Sequence, residues 1–125
     1  MLGALLACND ATAPNAVGTY ALTRFNGSPL PATIATDPTS GQTASVTGGT
    51  LSLDPRNRWE AEVNISITSS AGLIPQNEIM SGTYRVSRDT IYFSDAANTG
   101  TIAALFDGTT ITATTAGDTF VFTRR

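Results

Sequence analysis

From Trp59 to Thr68 every second residue is apolar: Trp59, Ala61, Val63, Ile65 and Ile67 alternate with Glu60, Glu62, Asn64, Ser66 and Thr68. A period of two belongs to a β-strand with one dry and one wet face. The same alternation predicts strands over 17–25, 49–54, 80–87, 90–95 and 119–124, with two further strands over 99–106 and 109–115 and a short one near 43–47. Turn formers separate them. Asn26-Gly27 and Asp107-Gly108 tolerate positive φ and suit tight hairpins, and Asp54-Pro55-Arg56-Asn57, Ser87-Arg88-Asp89 and Ala116-Gly117-Asp118 also turn the chain. About eight short strands with no helical stripe define an all-β fold. Hairpin-length links favour an antiparallel up-and-down barrel, with a β-sandwich as the alternative. Two longer connections are expected, 27–42 and 69–78.

The phase of each strand names the residues that point inward: Tyr20, Leu22, Leu51, Leu53, Trp59, Val63, Ile65, Tyr84, Val86, Ile91, Phe93, Phe106, Phe120 and Phe122. Of these, Tyr20, Leu22, Leu51, Leu53, Trp59, Val63, Tyr84, Val86, Phe93, Phe106, Phe120 and Phe122 are the candidate lining of a lumen. Small inward residues, Ala61, Gly82, Ala104 and Ala113, either leave room for a lipophile or let the large side chains close-pack. A barrel of eight strands accommodates both outcomes.

Composition narrows the class. The 125 residues suffice for one domain with a single core. All seven basic residues are arginine against ten acidic ones, a net charge of −3 with no basic cluster, so no nucleic-acid partner is expected. Twenty-one scattered threonines supply β-branched polar residues for the wet faces of strands. With no histidine and no lysine, the chain lacks the base of a Ser-His-Asp hydrolase and the imidazole ligands of zinc sites. Glu60 and Glu62 share a strand face, but it is the wet one beside Arg58, which reads as a solvated charged surface. No enzymatic activity, metal or cofactor is expected.

Near the start, Leu2, Leu5, Leu6 and Ala7 run into Cys8, the single cysteine, and Asn9 to Asn15 follow as a polar, proline-bearing stretch. This run resembles a bacterial lipoprotein signal, in which the cysteine receives a lipid and the residues before it are removed. Seven residues precede Cys8 and none is Lys or Arg, which is shorter and less basic than a secretory signal of ordinary length. The alternative is a frayed start carrying one unpaired thiol. The resemblance implies residues 1–7 as a signal remnant, 8–16 as a flexible tether and 17–125 as one barrel domain. It also implies attachment to a membrane through lipid on Cys8, in a bacterial cell envelope, with Asn9 pointing to the outer membrane.

Gly18-Thr19-Tyr20 at the head of the first strand resembles the Gly-x-Trp signature of lipocalins and other calycins, with Tyr in place of Trp. Gly82-Thr83-Tyr84-Arg85-Val86-Ser87, Asp89-Thr90-Ile91-Tyr92-Phe93 and Phe120-Val121-Phe122-Thr123-Arg124 resemble small bacterial lipocalin-like lipoproteins. What this resemblance implies is a lipocalin-like barrel in which Arg124 packs across Tyr20, beside Gly18, and closes one end. The implied function is an envelope lipoprotein that binds a small hydrophobic ligand. The alternative is a structural or interaction lipoprotein with a filled core, whose protein partner the sequence does not name.

Overall fold

The computed structural model describes residues 15–96, 100–115 and 117–125. They form ten strands: β1 Gly18–Phe25, β2 Ser28–Pro29, β3 Ala32–Thr36, β4 Thr43–Leu53, β5 Arg58–Ser69, β6 Gly72–Ser87, β7 Thr90–Asp95, β8 Thr101–Phe106, β9 Thr110–Thr115 and β10 Asp118–Arg124. From β4 to β10 each strand pairs antiparallel with the next, β10 pairs with β1, and β1 returns to β4 through Gly18↔Leu53 to Ala21↔Thr50. Eight strands therefore close an antiparallel barrel, and β2 and β3 are additional. Closure leaves the β1–β4 seam without a free edge, the usual remedy for exposed strand edges.

Local chemistry sets the turns. Asn26 and Gly27 take φ of 52° and 82°, the two left-handed positions that a two-residue hairpin with right-handed strand twist requires. Asp107 fixes the β8–β9 turn by accepting the Thr109 and Thr110 backbone N–H groups at 2.9 and 2.7 Å. Those bonds hold its carboxyl below the usual carboxylate range. On the outer wall, threonines pair across strands, Thr23 with Thr123 at 3.0 Å and Thr114 with Thr119 at 3.1 Å, between hydroxyl oxygens.

Two β-bulges within the barrel strands shift the phase, beside a third at Thr33/Ala35 of β3. One lies in β1 opposite Val121/Phe122, so both Leu22 and Phe25 reach the interior; the other lies at Val46/Gly48 of β4, so both Val46 and Leu51 do. The expected short strand at 43–47 and the one at 49–54 are accordingly a single strand. Within it Gly49 faces inward, where a Cβ would stand 3.1 Å from Leu22 Cβ and 2.8 Å from the Glu62 carbonyl oxygen.

The expected long connection at 69–78 is not a loop. Strands β5 and β6 continue to Ser69↔Gly72 and turn in two residues. Pro75, Gln76 and Asn77 are weak strand formers, but the β5 ladder holds them. A two-residue hairpin closes on a hydrogen-bonded pair and the pairs alternate from there, so Leu73, Pro75, Asn77 and Ile79 turn their backbone groups away from β5. Pro75 thus lacks its N–H on the side where no described strand pairs, the place a strand tolerates proline. Its side chain and its missing donor also blunt an edge on which Leu73 is 67% and Ile79 65% exposed. The other expected connection, 27–42, holds β2 and β3, which extend the wall beside β1 and β4.

Candidate ligand site in the barrel lumen

The interior divides into a filled end and an open end. At the filled end Tyr20 is fully buried and its hydroxyl donates to the Ala16 carbonyl at 2.7 Å. Phe106 meets it edge-on with centroids 6.2 Å apart. Arg124, last residue of β10, lies across both rings, its guanidinium carbon 5.0 Å from the Tyr20 centroid and 5.8 Å from that of Phe106. The guanidinium donates to the carbonyls of Gly108 at 3.2 Å, Val17 at 3.0 Å and Asn15. Gly18 makes room for it: a Cβ there would stand 3.2 Å from Arg124 Nη1. Burial pushes the Tyr20 phenol up from its usual value and the Arg124 charge works against that rise.

The second Gly-Thr-Tyr repeats this arrangement with a different planar partner. Tyr84 donates its hydroxyl to the Asp54 carbonyl at 2.7 Å, and burial, followed by the Asp54 charge, raises its pKa. Above Gly82 lies the Trp59 indole, which donates to the Ser94 carbonyl at 3.0 Å. Each tripeptide therefore combines a glycine under a flat N–H donor with a tyrosine whose hydroxyl is fastened to a backbone carbonyl. Trp59 also meets Phe93 edge-on at 5.5 Å.

Beyond Trp59 the lumen is not filled. A cavity of about 240 Å³ is lined by Leu51, Trp59, Ala61, Val63, Met80, Phe93, Ile102, Ile111, Ala113, Phe120 and Phe122, with Glu78, Thr115 and Asp118 as its polar members. The last three stand at its mouth, where Glu78 and Thr115 are exposed. The Phe25 and Phe120 rings, 5.1 Å apart, brace the wall.

Among the residues expected in a lumen, Leu51, Trp59, Val63, Phe93, Phe120 and Phe122 line this cavity. Tyr20, Leu22, Leu53, Tyr84 and Phe106 are buried away from it, and Val86 packs against the core from a half-buried position. Ile102, Ile111, Met80, Glu78, Thr115 and Asp118 also line it. Ile111 lay within reach of the alternation of β9, whereas Asp118, which the structure makes the first residue of β10, falls in the expected 116–118 turn, and Glu78 in the stretch expected as a loop. Cys8 and residues 1–14 of the expected signal and tether lie outside the described residues. At the tether's end Asn15 and Ala16 already contact the barrel, Ala16 buried and Asn15 bonded to Arg124.

On the outer wall a wider polar hollow of about 580 Å³ runs past Ser52, Asp54, Arg58, Glu60, Ser81 and Thr83, with Trp59 between it and the lumen. Glu60 is exposed there and Glu62 half-buried, opposite Ile79.

Fold and site together define an antiparallel eight-stranded β-barrel, sealed at one end and holding an apolar, half-open lumen at the other. No protein-family model matches the chain, and neither a curated protein nor a solved structure matches it.

Proposed function

We propose that this chain is a lipid-anchored lipoprotein of a bacterial envelope whose lipocalin-like barrel carries a small hydrophobic molecule in the open half of its lumen. The cavity of about 240 Å³ with dry walls carries this reading. An apolar void of roughly 150 Å³ already takes up benzene, and at about 30 Å³ per small group the space here suits roughly eight heavy atoms. Apolar burial then supplies the affinity, about 0.8 kcal/mol per buried methylene. The Arg124 contact across Tyr20 beside Gly18 supports the lipocalin-like part. The run from Leu5 to Cys8 supports the anchor.

Trp59, the single tryptophan, lines the cavity and reports its occupancy. Titration with a lipophilic fluorophore is expected to change its emission saturably. Ala113→Leu adds three carbons to the cavity wall and is expected to weaken that binding by at least about tenfold while the melting temperature holds or rises. Undiminished binding by this variant would overturn the lumenal site. The anchor is checked separately by mass spectrometry of the protein from native membranes, expected to begin at an acylated Cys8. An unmodified thiol there would remove the anchor and leave the barrel reading in place.

A second reading, an interaction lipoprotein that works through its surface, draws on the exposed Leu73 and Ile79 of β6. It expects a partner on that edge and no response of Trp59 to lipophiles.

A further inference from the structure

Glu78 and Asp118 occupy positions where the barrel's own alternation calls for apolar side chains. Glu78 stands opposite Val63, in phase with Met80 and Gly82, on the lumenal face of β6. Asp118 stands opposite Thr115 and in phase with Phe120 and Phe122, on the lumenal face of β10. Both therefore belong to the lining by register, and both line the cavity, with Thr115 between them in the set of polar members. A polar residue on the apolar side of a strand is the informative exception, because the reverse case of an exposed apolar residue is commonplace.

The mouth has no matching positive charge among the described residues that line it. None of the seven arginines is among its lining residues, and four have contacts elsewhere. Arg124 is at the sealed end, held by three carbonyls; Arg24 donates to Gly27 at 3.2 Å; Arg85 lies over Tyr92 at 4.0 Å; and Arg58 borders the outer hollow. One described bond reaches the acids from a neighbour, a neutral one from Asn26 Nδ2 to Asp118 at 3.1 Å. The lumen is thus apolar along its wall and negative at its opening.

We infer, resting on the lumenal reading above, that the preferred ligand is a cationic amphiphile, a primary amine with an apolar tail. The tail fills the space among Val63, Phe93 and Phe120 while the ammonium stays at the mouth. An ammonium presents three donors and no acceptor, and Glu78, Asp118 and Thr115 present carboxylate and hydroxyl acceptors to meet them. A fatty acid of the same length would set its carboxylate beside two like charges in a partly desolvated opening, where repulsion is stronger than in bulk water.

The test compares three ligands of one chain length on the full chain at pH 7, read by Trp59 emission: octylamine, octanol and octanoate. The amine is protonated at this pH, as a lysine side chain is, and the acid is ionised. Octylamine is expected to bind at least about tenfold more tightly than octanoate, and more tightly than octanol, with the advantage shrinking as salt rises. Glu78→Gln, an exposed and isosteric change, is expected to reduce the amine's advantage over octanoate several-fold. Octanoate binding as well as the amine, or an advantage untouched by Glu78→Gln, would overturn the inference while octanol binding kept the lumenal reading alive. If none of the three binds, the lumenal reading falls and the inference falls with it.

Discussion

Gly82→Ala is expected to destabilise the barrel by about 4 kcal/mol or more, at the far end of what single substitutions do. A Cβ at this position would lie 1.7 Å from the Ser94 carbonyl oxygen and 2.8 Å from the Trp59 indole nitrogen. Real Cβ atoms essentially never stand at either distance from a heavy atom. The neighbour at 1.7 Å is backbone of β7, so relief requires moving a ladder strand rather than rotating a side chain. The same displacement takes away the acceptor of the indole N–H, leaving a buried donor unsatisfied. Equilibrium denaturation followed by Trp59 fluorescence measures the loss. Gly100→Ala is the control, because no atom of the described residues lies within 4 Å of a Cβ there, and it is expected to change stability by less than about 1 kcal/mol. Equal effects at the two glycines would show that the contact over Gly82 does not constrain the fold. Should the Gly82 variant fail to accumulate, Trp59→Phe, which deletes the donor and keeps an aromatic ring, is expected to lose about 1–2 kcal/mol against the parent when both are unfolded under circular dichroism, and gives an independent reading.

Arg124→Met is expected to cost about 3 kcal/mol. The guanidinium serves three backbone carbonyls from two segments, Gly108 in one and Val17 and Asn15 in the other, and covers two aromatic rings. Hydrogen bonds from a charged donor contribute about 1.5–3 kcal/mol each when intact, and partial exposure of Arg124 reduces that sum. Methionine keeps the apolar cover and removes the donors, so the loss isolates the polar part. A second readout separates this role from plain packing. Burial raises the Tyr20 pKa above 10.0 and Arg124 opposes the rise. Because the folded value lies above the unfolded one, the neutral phenol's contribution is whole below the unfolded value and is lost as pH climbs through the folded value. Without Arg124 the folded value moves higher still, so the variant is expected to lose more stability between neutral and strongly alkaline pH than the parent. Spectrophotometric titration of tyrosine follows the shift directly; an unmoved Tyr20 titration would separate Arg124 from the ring.

Much of the wall was legible because alternation is a local signal. β5 declares itself over ten residues, and Asn26-Gly27 takes the two left-handed angles that its side chains favour. The bulges were not legible. Counting by twos from Tyr20 and Leu22 puts Arg24 inside and Phe25 outside, and a one-residue insertion opposite Val121/Phe122 reverses both. Nothing in Thr23 or Arg24 announces it, since the bulge answers to the pairing with β10. Leu73 to Glu78 looked like a loop because proline, glutamine and asparagine are poor strand formers. They extend because one side of the strand is laddered to β5 and the proline faces the other. For the lumen, side-chain identity was legible and volume was not. Six of the candidate residues line the cavity, yet the same alanines at 61 and 113 would serve a packed interior equally well. Arg124 over Tyr20 followed from resemblance, and the matching arrangement of Trp59 over Gly82 was hidden in the repeated Gly-Thr-Tyr.

The order of strands around the barrel has a consequence for how the chain is made. β1 emerges before the other strands, but one of its neighbours, β10, spans Asp118–Arg124 and is translated a hundred residues later. Until then β1 can lean only on the two-residue β2 and on β4, through the short stretch Gly18↔Leu53 to Ala21↔Thr50. The hairpins from β4 through β9 can form as they appear, each from local pairing, whereas the ring waits for its final stave, which also delivers Arg124 to Tyr20. Completion is therefore a late, long-range event of the slow kind, and a nascent chain stalled before Thr119 would display an unzipped cylinder with its greasy lining open to chaperones.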